Sequence, residues 1–115
     1  MTTILFGIPN CDTVRKARKW LDEHGKTYQF HDFRKDGLSA KQLHHWCELL
    51  GWETLLNRRG TTWRRLPEAE RAAIDARRAE ALMLAQPTLI KRPVLQMGES
   101  FEVGFDPDRY QTLLN

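Results

Sequence analysis

Residues 4 to 17 constrain the fold more than any other stretch of the chain. An apolar run, Ile4-Leu5-Phe6, meets a breaker cluster of Gly7, Pro9 and Asn10, and a thiol, Cys11, stands directly before a segment with helical spacing. The pattern predicts strand, loop and helix, with Cys11 at the helix N-terminus. The first N–H groups of a helix lack intrahelical partners and carry partial positive charge. A thiol placed there ionises more readily and becomes the stronger nucleophile near neutral pH. Arg15 and Lys16 add positive potential, and Asp12 opposes them. The alternative for Cys11 is a small apolar residue packing a strand-helix junction.

The rest of the chain extends this start into a mixed α/β pattern. Thr2 to Phe6 reads as a strand and Thr13 to His24 as a helix that turns Val14, Ala17, Trp20 and Leu21 to one face. Gly25 stops that helix, and Tyr28 to Phe33 forms a second strand parallel to the first. Ser39 with Gln42 is a capping-box signature for a helix to about Leu50 that buries Leu43, Trp46, Cys47 and Leu50. Short turns follow over Glu53 to Leu56 and Thr61 to Leu66. Pro67 opens a helix through about Ala76, and another, about Arg77 to Gln86, packs Ala81, Leu82 and Leu84. Val94 to Met97 and Phe101 to Gly104 then pair as a hairpin across Gly98-Glu99-Ser100. Asp106-Pro107 caps a last helix with Tyr110, Leu113 and Leu114 inward.

Length and composition set the outer limits. A chain of 115 residues that is 41% hydrophobic and 29% charged fits one domain with its own core, here 1–115 with a helical insertion at about 39–86. No stretch reads as a membrane span or a signal peptide, so a cytoplasmic protein without a membrane partner is expected. Cys11 and Cys47 lie 36 positions apart, without a CxxC or zinc-ligand spacing, so neither a structural disulfide nor a metal site is expected. His44 and His45 are adjacent and read as surface residues. Net charge is +3, and Arg58, Arg59, Arg64, Arg65, Arg71, Arg77 and Arg78 cluster. Glu68, Glu70, Asp75 and Glu80 are interleaved with the later arginines, which favours a solvated face over direct nucleic-acid contact.

Three segments taken together resemble a known family. The stretch Pro9-Asn10-Cys11-Asp12-Thr13-Val14-Arg15-Lys16-Ala17, the late Pro87-Thr88-Leu89-Ile90-Lys91-Arg92-Pro93 and the closing Val103-Gly104-Phe105-Asp106 are similar to the ArsC/Spx family, especially its small YffB-type members. The resemblance covers essentially the whole chain. It implies a thioredoxin/glutaredoxin-like mixed sheet with helices on both faces and an inserted helical block. It also implies Cys11 as the redox-active thiol, Pro93 as a cis-proline facing it, and Arg92 as the arginine beside it. On the residues alone, a trans proline at a strand start and a surface arginine remain open for Pro93 and Arg92.

Two functions follow from the resemblance. The first is a glutathione-dependent monothiol reductase with no bound cofactor, working as a monomer on glutathione or an oxidised thiol. Cys11 forms a mixed disulfide and an external thiol resolves it. Asn10, Thr13, Arg15, Arg92 and Pro93 support the thiolate, and Arg58, Arg59 and Arg92 hold the glutathione carboxylates. Turn formation and capping are the alternative roles for Asn10 and Thr13. The second is an Spx-like regulator that binds RNA polymerase without catalysis. Arsenate reductases of the family use three arginines around the cysteine; only Arg92 lines up, with Asn57 and Gly104 at the other two places. Arsenate is therefore not the expected substrate. Under the resemblance to the regulators Gly7 belongs to a partner interface; it is equally explained as loop punctuation.

Overall fold

The computed structural model describes residues 2–114. In chain order the elements are β1 (Thr3–Gly7), α1 (Asp12–Glu23), β2 (Gln29–Asp32), α2 (Ala40–Leu50), α3 (Trp52–Leu55), α4 (Thr61–Arg64), α5 (Glu68–Ala72), α6 (Ala76–Ala85), a 3-10 turn (Pro87–Leu89), β3 (Val94–Met97), β4 (Ser100–Val103) and α7 (Pro107–Leu114). They divide into two compact units: the N-terminal stretch through Gly37 together with Arg92 onward, and Leu38–Lys91. Among the described residues, no helix is long and apolar enough to cross a membrane.

The first unit is built on a four-stranded mixed sheet of order β2-β1-β3-β4. β1 runs parallel to β2, with Leu5 opposite Phe30, and antiparallel to β3, with Leu5 opposite Leu95 and Phe6 opposite Val94. Alternation along the strands then divides the side chains between two faces. Leu5 and Leu95 join Ala17, Trp20 and Leu21 of α1 and Tyr110 of α7 in one buried cluster, so both helices cover the same face. Trp20 and Tyr110 meet edge-on at 5.8 Å between ring centroids, a favoured aromatic geometry. Tyr110 also donates its hydroxyl to the Gly104 carbonyl at 3.0 Å. The hairpin joining β3 to β4 has a two-residue loop with Gly98 at φ +61°, the left-handed backbone that a II′ turn needs at its first central position.

The second unit is helical. Ser39 accepts the Gln42 N–H at 3.0 Å and caps α2, and Gly51, at φ +87°, ends it. Leu43 and Trp46 are buried, whereas Cys47 and Leu50 are only half-buried, so the apolar stripe of α2 is narrower than its sequence suggests. Leu56 bridges Ile90, flanked by Asn57 N–H to Leu89 carbonyl and Lys91 N–H to Leu55 carbonyl, both 2.7 Å.

The expected helix from Pro67 to Ala76 is shorter. Pro67 sits outside it as the N-cap, and α5 stops at Ala72 because Asp75 adopts extended backbone and accepts the Arg78 N–H at 2.8 Å. That cap starts α6 at Ala76 and orients it. Ala79 and Met83 are buried as a result; Ala81 and Leu84 are exposed and Leu82 half-buried, contrary to the apolar face read from the sequence. In α7, Tyr110 is buried and Leu113 and Leu114 are half-buried.

Leu95 is fully buried at the centre of the first unit. Replacing it with alanine should cost about 2–5 kcal/mol, read as a lower urea midpoint at unchanged slope. A loss below about 0.5 kcal/mol, the range of ordinary surface changes, would mean the cluster does not carry the unit.

Candidate functional site

The site is assembled by the first unit from two segments far apart in the chain. Ile8 to Asn10 form the link out of β1, closed by the Cys11 N–H donating to the Ile8 carbonyl at 3.3 Å. Cys11 takes the N-cap position of α1 in extended backbone (φ −103°, ψ 127°), and its carbonyl accepts the Arg15 N–H at 2.9 Å. The second segment is the lead into β3. Because Val94 pairs with Phe6, Pro93 and Arg92 come level with the end of β1. The Arg92–Pro93 peptide is cis, and the Pro93 carbonyl accepts the Gly104 N–H at 2.8 Å.

The Cys11 sulfur is half-buried and makes no short cap hydrogen bond of the kind a serine or aspartate oxygen makes. Its surroundings nevertheless favour negative charge. Burial on its own pushes the thiol up, but the Val14 N–H, the hydrogen bond and positive charge of the Arg92 guanidinium, and the Thr13 N–H together hold it below its ordinary value. Val14 and Thr13 occupy the third and second positions of α1, whose N–H groups are those a capping side chain meets. Thr13 contributes its backbone rather than its exposed hydroxyl.

Cys47 is the opposite case. Burial, then the negative charge of Glu80 and a hydrogen bond to it, push its thiol up to about 11. Neither cysteine forms a disulfide. His44 and His45 are both exposed, and His44 contacts Glu48 at 2.7 Å and Glu80 at 3.0 Å. Among the described residues, no group of three His, Cys, Asp or Glu side chains suits a metal ion.

The structure thus brings together Cys11, Thr13 and Arg92, with Pro93 bonded to Arg92. Arg15 does not join them. Its guanidinium pairs with the Asp12 carboxylate one turn back and is more than half exposed, so that ion pair absorbs the positive charge expected to reach the sulfur. Asn10 is exposed in the turn before Cys11. Arg58 and Arg59 belong to the second unit, on the loop between α3 and α4. There Asn57 Oδ1 accepts the Arg59 N–H at 3.1 Å, and the Arg58 guanidinium lies 5.3 Å from the Trp52 ring and 5.7 Å from that of Trp63. The Val14 N–H was not anticipated. Its position, third in a helix capped by a cysteine, is the signal that points to it.

Residues 6–113 match the ArsC family. The chain belongs to that family. Among solved structures, this ArsC-family chain is similar to a YffB protein, at 52% identity and a TM-score of 0.94 over 99% of this chain and 100% of that one. It is also similar to an arsenate reductase (ArsC) related protein from Brucella melitensis, at 49% identity and a TM-score of 0.82, covering 100% of this chain and 96% of that one. The Streptococcus pneumoniae global transcriptional regulator Spx is 26% identical over 112 residues, 96% of this chain and 84% of its own. The thioredoxin-like fold is common to the ArsC structures.

The two thiols make a direct comparison. Cys11 titrates below the ordinary value of 9.0 and Cys47 near 11, so their thiolate fractions at pH 7 differ by about 100-fold or more. The lower nucleophilicity of the more acidic thiolate offsets about tenfold of this. Iodoacetamide should therefore label Cys11 on the order of ten times faster than Cys47, by peptide mass spectrometry. The advantage should shrink in Arg92→Gln; equal rates in the unchanged protein would contradict the charge assignment.

Proposed function

We propose that this ArsC-family protein is a monothiol reductase that exchanges disulfides with glutathione as co-substrate. The reading is carried by one observation: the Cys11 sulfur faces the Val14 and Thr13 N–H groups and the Arg92 guanidinium, which together outweigh the cost of its burial. The Cys11 thiolate attacks the glutathione sulfur of an oxidised substrate thiol. A Cys11–glutathione bond forms, the substrate sulfur-sulfur bond breaks, and the substrate leaves as a thiolate. A second glutathione thiolate then attacks the glutathione sulfur held on Cys11. Oxidised glutathione departs and the Cys11 thiolate is restored. The net exchange converts the substrate–glutathione disulfide and one glutathione thiol into the substrate thiol and oxidised glutathione, one sulfur-sulfur bond replacing another.

Val14 stands where a CxxC motif would place a resolving cysteine, so an external thiol suits this chain. Arg92 supplies a planar fork for a glutathione carboxylate and positive charge for the leaving sulfur. Arsenate fits less well. Gly104, at φ +87°, offers no cation, and Asn57 offers a neutral amide where a guanidinium would supply charge.

A second reading is an adaptor that binds RNA polymerase without catalysis, supported by the 26% identity with Spx. The readings separate on one pair of experiments. Incubation with oxidised glutathione should place an adduct on Cys11 and leave Cys47 unmodified. Cys11→Ser should reduce turnover of a glutathionylated peptide to background. No adduct on Cys11, or full turnover in Cys11→Ser, would overturn the reductase; a polymerase contact that survives Cys11→Ser would then favour the adaptor.

A further inference from the structure

Gly7 is the last residue of β1 and pairs with Asp32 across the parallel ladder, so it lies within the sheet rather than in the loop that its sequence context suggests. Its φ is not among the positive glycine angles of this chain. Backbone conformation therefore does not require glycine here; space does. A Cβ on Gly7 would lie 2.7 Å from Val14 Cγ2 and 3.3 Å from Cγ1, but at an ordinary 3.6 Å from Val14 Cβ. A separation of 2.7 Å is well inside van der Waals contact, so one partner has to shift.

Neither partner shifts easily. The Gly7 carbonyl accepts the Phe33 N–H at 2.9 Å, tying the end of β1 to the segment after β2. Val14 is fully buried, and a valine in a helix has essentially one side-chain rotamer, so it cannot swing away as the end of a long side chain would. The remaining freedom is displacement of the first turn of α1, which carries the N–H groups facing the Cys11 sulfur. Glycine inside a strand is the usual mark of such a close approach.

We propose that Gly7 is a positioning residue for Cys11: its bare Cα lets Val14 seat against β1, and that seating fixes the first turn of α1 beneath the sulfur. The inference rests on Cys11 being the reactive thiol but does not depend on which substrate it meets.

The test is the pH dependence of Cys11 alkylation in Gly7→Ala, Val14→Ala and the double variant, with folding followed by circular dichroism. Val14→Ala keeps the backbone N–H and removes both clashing methyl groups. Gly7→Ala alone should move the profile to higher pH and slow labelling at pH 7 by about threefold or more, the size of a change of about one unit once the higher nucleophilicity of the more basic thiolate is allowed for. In the Val14→Ala background the same substitution should leave the profile where Val14→Ala puts it. An unchanged profile in Gly7→Ala, or an equal displacement in both backgrounds, overturns the proposal. Should Gly7→Ala fail to fold, the double variant decides: a folded protein titrating like Val14→Ala supports the assignment, and a second failure to fold refutes it. A normal coupling with no glutathione adduct on Cys11 would sink the reductase reading and leave this one standing.

Discussion

The pairing of Phe6 with Val94 across the β1–β3 ladder is the constraint on which the first unit and its site both depend. In this register Leu5 and Leu95 lie opposite each other and reach the buried cluster with Trp20 and Tyr110. The same register brings the Arg92–Pro93 segment level with the link that carries Cys11. A slip of one residue would turn Leu95 away from the core and move Arg92 out of step with the sulfur. Packing and chemistry are thus set by one alignment. The hydrogen bond from Gly104 N–H to the Pro93 carbonyl and the Tyr110 hydroxyl on the Gly104 carbonyl tie that segment back to the helix over the core.

The two cysteines show how strongly surroundings decide reactivity. Both are half-buried and neither is bridged, so burial pushes both thiols up. Cys11 faces N–H groups and a guanidinium and ends below its ordinary value; Cys47 faces the Glu80 carboxylate and ends near 11. The thiolate is the form that attacks disulfides, so of the two Cys11 ionises more readily. The same logic explains why Arg15 matters less than its nearness in sequence suggests: a guanidinium already paired with Asp12 presents little net charge to a third group.

Much of this was legible in the chain itself, where local chemistry and tertiary demand agree. Pro9 and Asn10 in the link after β1, the apolar stripe of α1, the Ser39 cap, the Gly98 hairpin and the Asp106-Pro107 start all lie where the residues place them, whereas Gly7 closes the strand instead of opening the loop. A break between two helices is legible too, but after Ala76; the Asp75 cap to Arg78 N–H puts it ahead of Ala76 and with it decides which face of α6 is buried. Arg92 stands 81 positions from Cys11, and only resemblance to a family connected them. The space above Gly7 carries no side-chain signature, since it concerns how closely a helix approaches a strand.

The central claim is that the Val14 and Thr13 N–H groups and the Arg92 guanidinium hold the Cys11 thiol below its ordinary titration range. The most direct test is a pH titration of the Cys11 13Cβ chemical shift by NMR. The account predicts a midpoint below that of an unstructured peptide cysteine, displaced upward in Arg92→Gln. A midpoint at or above the peptide value in the unchanged protein would contradict it.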